Sequence, residues 1–398
     1  MVKDFDVMAA GHLCLDIIPQ FFDTGSRKID EILRPGKLVN VGKATMSTGG
    51  PVSNTGINLL TLGNRVCFSA RCGDDPFGSI ILDLLRQRGN AEGIRLASGA
   101  SSSYTIALAP PGIDRIFIHN PSTNDDFGPE DLDEKLIARC RHFHFGYPPL
   151  MRRMYSGDGE ELCEIFRMAR RVGVTTSCDM SLPDPDSPSG QVNWRTILTK
   201  LLPYVDFFLP SIEECFYMLY PDEFIQMKKA HANKELIDFI EPALFSKLAD
   251  ECLSLGTRLV ALKAGHRGFY LRTGPTVSIL SKNNGSPEVL ESWGNREIWV
   301  EAIRPEKIAS ATGSGDSSIA GFLTGLLRGY SIEKTLRLSI LIGWQNLQEL
   351  DAVSGIKSWD QTEPMLEIDR PTLDARLKDA AWAYDPQVKV WRSPRDRK

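Results

Sequence analysis

Residues Ala311 to Asp316 read ATGSGD, a glycine-rich turn ending in a carboxylate, and the run SSIAGFLTGLLRG follows directly. Ile319, Phe322, Leu323, Leu326 and Leu327 recur at helical spacing, so Gly313, Ser314 and Gly315 fall where the first backbone N–H groups of a helix lack intrahelical partners. Those groups, with the positive end of the helix macrodipole, form an anion hole suited to a phosphoryl oxygen. Asp316 stands beside it and could take the proton of a hydroxyl attacking the same phosphorus. A flexible turn capped by its own acid would have the same sequence, so other parts of the chain must distinguish the two.

Three further sites suit phosphoryl transfer. Gly49 and Gly50 precede a helical pattern and permit close backbone approach to a ligand, while Asn54, four residues on, offers a donor and an acceptor to a polyol. Asp16 lies in CLDIIP at the end of an apparently buried strand, where a carboxylate can accept two sugar hydroxyls or cap a loop. LPSIEE and LVALKAGHRG each begin as an apolar strand and end in polar or glycine residues, the place where a nucleotide would lie. There Glu214 could order water around Mg²⁺, Lys263 could meet phosphate oxygens, and Gly265 and Gly268 would leave room for the nucleotide.

The elements that must position these residues alternate. DFDVMAAGH, RVCFSARCG, RHFHFG, VTTSCDMS, VDFFLPS and TRLVALKAG read as strands, with helical patterns such as PFGSIILDLLRQRG and GEELCEIFRMARRVG between them. Alternation of this kind predicts an α/β fold around a mostly parallel sheet. The stretch SSSYTIALAPPGIDRIFIH reads instead as a hairpin, which with the polar stretch before Ser47 could form a small antiparallel sheet outside the main layer. Tyr220 to Phe245 is charged and helix-prone and reads as a surface insertion. His142 and His144 share one face of a strand opposite Phe143 and Phe145, and a structural role is expected for them.

The 398 residues, 42% hydrophobic and 24% charged, suffice for one large globular domain, and the net charge of −5 argues against a nucleic-acid partner or an anionic membrane surface. MVKDFDVMAAGH has acids where a signal peptide needs an apolar core, and no run of ~20 apolar residues exists. The expectation is a cytoplasmic protein whose eight scattered cysteines are reduced. The basic end WRSPRDRK reads as a solvated tail.

Taken in order, STGGPVSNTGINLLTLG, GDDPFG and ATGSGDSSIAGFLTGLL resemble signatures of the PfkB/ribokinase family of carbohydrate kinases, over about Phe5 to Gly355. The resemblance implies a single domain across residues 1–398: a ribokinase-like three-layer α/β/α sandwich with a small β-sheet lid drawn from about 17–47 and 101–124. A C-terminal extension of about 357–398 lies beyond the motifs. It also implies Asp316 as catalytic base, an anion hole from Gly313, Ser314 and Gly315, and acceptor positions at Asp16, Gly49, Gly50 and Asn54. Ser211, Lys263, Gly265 and Gly268 would contact ATP, with Glu214 near Mg²⁺. Ser310 and Ala311 stand where family members commonly have Asp-Thr, whose acid helps bind a monovalent cation, so dependence on potassium is left open. Ser211 replaces the Asn of the family's Asn-x-x-Glu motif.

The function expected is therefore an ATP-dependent kinase acting on a sugar or sugar-like alcohol. A nucleoside kinase of the same fold would need an apolar slot near the lid, for which Phe21, Phe22 and Phe117 are available. A non-catalytic sugar- or nucleotide-binding regulator would lack acceptor-dependent ADP release. Lys37, Lys43 and Arg115 could meet a phosphate on an already phosphorylated acceptor, although exposed basic residues are usually solvated. The edges of the lid strands could pair across a homodimer.

Overall fold

Continuous apolar runs become strands buried on both faces, and alternation sorts their side chains between two layers. In the computed structural model, which describes residues 3–113, 115–232, 234–275, 292–377 and 381–397, Met8 and Ala10 pack with Phe143, Phe145 and Phe166 on one face of the sheet. Val7 and Ala9 pack with Phe68, Phe207 and Phe322 on the other. Asp114 in the hairpin turn, and 378–380 and Lys398 in the C-terminal extension, lie outside the described residues.

Numbered along the chain, β1 (Phe5–Gly11), β4 (Val66–Gly73), β5 (Asn90–Ala97), β8 (Cys140–Gly146), β9 (Thr175–Asp179), β10 (Phe207–Phe208) and β11 (Leu259–Lys263) are mutually parallel. Beyond β11 the sheet continues antiparallel through β12 (Phe269–Thr273), β13 (Glu297–Val300), β15 (Val390–Arg392) and β14 (Ala383–Asp385). A second sheet orders β3 (Ala44–Gly49), β2 (Cys14–Pro19), β6 (Tyr104–Leu108) and β7 (Ile116–Asn120). It is the small sheet expected outside the main layer, but it is mixed: β2 pairs parallel with β6 because the chain crosses back from the main domain between them. The architecture is the ribokinase-like sandwich with its lid.

The helix Ser314–Leu327 is held close to Ile332–Asn346 by small residues. A Cβ on Gly321 would lie 2.9 Å from the Leu338 carbonyl oxygen, and one on Gly325 would meet Thr335 at 2.9 Å. His142 and His144 are fully buried and bond the hydroxyls of Thr175 and Ser177 at 2.7–2.8 Å. Burial holds both far below the ordinary imidazole range, His144 at about 3, so they are neutral structural groups.

Two expectations are corrected. The Tyr220–Phe245 segment is no surface insertion throughout: Phe224, Leu236, Ile237, Ile240 and Phe245 are buried in the main core, their apolar positions being spread over a helix, a 3₁₀ turn and the start of the next helix, so that no single period shows them. The basic C-terminus is not a solvated tail. Its β15 pairs with β13, Arg395 bonds Glu297 at 2.8 Å, and Asp396 meets Arg296 at 2.8 Å, the latter pair almost wholly buried. Charge read as solubility in the sequence is charge pairing in the fold. Asp396→Ala should therefore lower unfolding stability by about 3 kcal/mol, since it removes one of the two carboxylates that neutralise buried Arg296, and chemical denaturation measures the loss.

Candidate active site

Gly313, at φ +77°, turns the chain into the helix Ser314–Leu327, and only a glycine passes there because a Cβ would sit 2.2 Å from that of Ala352. Asp316 follows in the first turn and is buried. Three donors converge on its carboxylate: Asn54 Nδ2 at 3.0 Å and Tyr147 hydroxyl at 3.1 Å on Oδ2, and Thr55 hydroxyl at 3.3 Å on Oδ1. Burial pushes the carboxyl above its ordinary range, and Asn54, Lys263, Tyr147 and Thr55 pull it part of the way back. A carboxylate has about four lone-pair positions, so one on Oδ1 remains for a further donor. Of the backbone amides of the glycine turn, that of Ser314 donates to the Ala311 carbonyl at 3.2 Å.

Lys263 ends β11 with its side chain against Gly315, whose added Cβ would lie 3.5 Å from Lys263 Cδ. Its ammonium group pairs with Asp179, at the end of β9. Burial opposes the Lys263 charge, but Asp179 and Glu214 outweigh it and hold the group protonated. Asp179 lies above the carboxylate range because burial outweighs the neighbouring ammonium, and its buried Oδ2 has no hydrogen-bond partner among the described residues. Ser211 bridges Lys263 across strand ends and caps the helix Ile212–Leu219 reciprocally with Glu214: the Ser211 hydroxyl accepts from the Glu214 amide at 3.2 Å, and Glu214 Oε2 accepts from the Ser211 amide at 2.7 Å.

Lys263, Gly265, Gly268, Ser314 and Gly315 line one cleft of about 430 Å³, walled on its far side by Ile308, Trp344 and Leu347. Gly268 at φ +102° has no space for a side chain, since a Cβ would fall 2.0 Å from the Val300 carbonyl oxygen. Ser211 and Glu214 are not among the residues lining this cleft, and sit at its inner end through Lys263. Ser310 keeps its hydroxyl on the Thr312 amide at 3.0 Å.

On the lid side, Asp16 lies in β2 opposite Ser47 of β3, and Gly49 lies against it: a Cβ there would come within 2.3 Å of Asp16 Oδ2. Burial raises the Asp16 carboxyl to about 6, against hydrogen bonds from Cys14 and Thr105. Gly50, φ +85°, starts the helix Pro51–Thr61 that carries Asn54 and Thr55 to Asp316, and a Cβ on it would strike the His12 carbonyl oxygen at 2.5 Å. Asn54 is thus placed on the Asp316 carboxylate. Phe22 and Phe117 are more than half exposed, and Lys37 donates to the Glu31 carbonyl at 3.4 Å.

Arg115 does not stand free for a substrate phosphate. It reaches from the lid to the Thr312 hydroxyl at 3.1 Å and the Leu350 carbonyl at 3.0 Å, tying lid to glycine turn. Arg115→Ala should raise the acceptor KM about fivefold, the effect of ~1 kcal/mol of exposed hydrogen bonding, and increase ATP hydrolysis without acceptor, both read by coupled ADP assay.

Tyr147, Thr55 and Asp179 escaped the sequence reading. Tyr147 adopts left-handed backbone at φ +64° directly after β8, a strained position that a bulky residue seldom takes. The sequence signal available was an aromatic between Gly146 and Pro148 at a strand end; for Asp179 it was an acid closing an apolar strand, the same signal that singled out Asp16.

The pfkB family carbohydrate kinase model matches residues 12–359. A probable fructokinase-3 of Arabidopsis thaliana is 24% identical over 302 residues, covering 75% of this chain and 74% of that relative. A 5-dehydro-2-deoxygluconokinase of Geobacillus thermodenitrificans is 22% identical over 371 residues, covering 92% and 94%. The solved Arabidopsis thaliana ribokinase complexed with ribose and ATP shares the fold at a TM-score of 0.66 and 16% identity, over 93% of this chain and 100% of that one. The protein belongs to the pfkB family of carbohydrate kinases.

Proposed function

We propose that this kinase transfers the γ-phosphoryl group of ATP to a hydroxyl of an unphosphorylated sugar or sugar-like polyol, with Asp316 as the base. The observation that carries the reading is the convergence of Asn54, Thr55 and Tyr147 on one buried carboxylate beside the glycine turn. These donors fix the orientation of Asp316 and leave one acceptor position for the attacking hydroxyl. An ionised carboxylate is a weak base toward an alcohol, which suffices when the transition state is loose and proton transfer comes late.

Lys263 holds a positive charge next to Gly315, in the first turn of the helix that the glycine turn opens. A magnesium ion offsets charge on the nucleotide phosphates in such reactions, and the unpartnered oxygen of Asp179 together with Glu214 suits it, as hard oxygen donors near one another. Asp16 anchors the acceptor through paired hydroxyls. His12, Cys14, Thr105, His119 and Tyr147 lie together beside Asp16 and Asp316, polar surroundings that favour a polyol over an apolar base slot.

Screening sugars, sugar acids and nucleosides for acceptor-dependent ADP release tests the reading. Turnover with a sugar or sugar acid supports it. Turnover with nucleosides alone, or none with any acceptor despite nucleotide binding, would move the protein to one of its rivals. Exposed Ile116, Phe117 and Ile118 on edge strand β7 support pairing of two lids in a homodimer, which sedimentation velocity tests.

A further inference from the structure

Beside the small sheet, next to Tyr147, three soft or borderline ligands lie close to one another from separate segments. His12 lies in the turn between β1 and β2, Cys14 opens β2, and His119 is on lid strand β7. Their ligand atoms all lie within 4.8 Å, and the two Nε2 atoms are 3.4 Å apart. Two nitrogens bound tetrahedrally to zinc at about 2.0–2.1 Å sit about 3.4 Å from each other, so the imidazoles already have the spacing of a shared ion. For the sulfur, at most about 1.3 Å remains to be closed.

The surroundings hold these groups in place. Thr105 bonds His119 Nδ1 at 2.9 Å, which fixes the ring and leaves Nε2 facing His12, as the far nitrogen of a metal-binding histidine is held by a hydrogen bond. Asn124 clamps the intervening Leu13 on both sides, accepting from its amide at 3.1 Å and donating to its carbonyl at 3.0 Å, so the His12–Cys14 turn is fixed. His12 is buried, its Nε2 toward His119 and its Nδ1 beside Gly50. Asp16, with Oδ1 3.4 Å from the Cys14 sulfur, adds the charge that would balance a dication beside one thiolate.

From this juxtaposition we infer that His12, Cys14 and His119 form a binding site for a borderline-soft divalent metal ion of the zinc class, with a fourth position open toward the cleft. Binding forms one metal–sulfur and two metal–nitrogen bonds, and the Cys14 thiol proton passes to solvent. No electron is transferred. Because Cys14 and His119 belong to strands of the small sheet and His12 to the turn leading out of β1, the ion ties that sheet to the end of β1 beside Asp16 and obstructs acceptor entry. That last consequence rests on the acceptor role proposed for Asp16; metal binding does not.

The experiment is a Co²⁺ titration of the full, reduced chain, followed by absorbance and by proton release, with Zn²⁺ displacement. One equivalent should bind with a thiolate-to-cobalt charge-transfer band and tetrahedral visible bands, release one proton, and give way to Zn²⁺. Cys14→Ser should abolish the charge-transfer band, and His119→Gln, at an exposed lid position, should weaken binding at least tenfold while circular dichroism stays unchanged. Absence of the band in the natural chain, or an equal band in Cys14→Ser from another of the eight cysteines, overturns the site. Zn²⁺ that binds through these residues yet leaves acceptor KM unaltered upholds the metal site and instead removes the acceptor role of Asp16.

Discussion

Asp316→Asn is expected to lower kcat by roughly 10²-fold or more, the usual size of a general-base contribution, while ATP affinity measured by calorimetry stays within a factor of about two. The amide keeps the shape of the carboxylate and, with its oxygen in the Oδ2 position, the hydrogen bonds from Asn54 and Tyr147, so what is lost is the ability to take a proton. Nucleotide affinity survives because the cleft is lined by Lys263, Gly265, Gly268, Ser314 and Gly315 and not by the Asp316 side chain. Folding should not suffer, since burial already disfavours the charge that the substitution removes. For the natural enzyme, kcat should fall on the acid side as Asp316 gains its proton, and this limb should vanish in the variant's residual activity. Turnover of Asp316→Asn within tenfold of the natural enzyme would end the assignment.

Asp16→Asn should raise the acceptor KM by about 10²-fold with kcat less affected, because hydrogen bonds to a charged group contribute about 1.5–3 kcal/mol and at least one is lost or inverted. The same carboxyl gives a pH signature. Its value of about 6 means that kcat/KM for the acceptor declines below pH of about 6, where the group protonates, and is level just above it. Stability runs the other way. The folded state binds this proton more tightly than the unfolded chain, so the residue's favourable contribution is complete below the ordinary carboxyl value of 3.8 and is lost as pH rises to about 6. At pH 7 the ionised group is therefore a net cost, and Asp16→Asn should gain up to about 3 kcal/mol in denaturant unfolding. A variant that binds acceptor normally, or that is less stable at pH 7 than the natural protein, would contradict this account. A buried acid kept at a stability cost is what an acceptor-binding role would require.

Much of the fold is legible where periodicity is strong. The helices Pro76–Arg86, Glu160–Arg171 and Ser314–Leu327 fall on the runs that predict them, and the alternation of strand and helix specifies the parallel sheet. The hairpin around Pro110 to Ile113 forms the lid pair β6 and β7. Tyr220–Phe245 was misjudged because its buried residues are divided among three short elements, each too brief to show a period of its own. The C-terminal strands escaped because β14 and β15 are three residues each, and their stabilising partners, Arg296 and Glu297, lie about a hundred residues upstream.

By itself the sequence determined the local devices: a glycine turn opening a helix, an acid in its first turn, glycines where a Cβ cannot fit, and strands whose ends carry polar residues. These depend on neighbours along the chain, and their physics is that of hydrogen-bond geometry and steric volume within a few residues. Only the tertiary structure decided that Asn54, Thr55 and Tyr147 meet on Asp316 across 262, 261 and 169 residues, that Lys263 pairs with Asp179, and that Asp16 is buried enough to titrate near 6. Sheet order sets which strand ends adjoin, and burial sets how strongly the groups there interact. The ATGSGD turn was visible from the start as a place for a phosphate and a base, whereas the donors that hold its carboxylate in position exist only once β1, β8 and two helices have packed together.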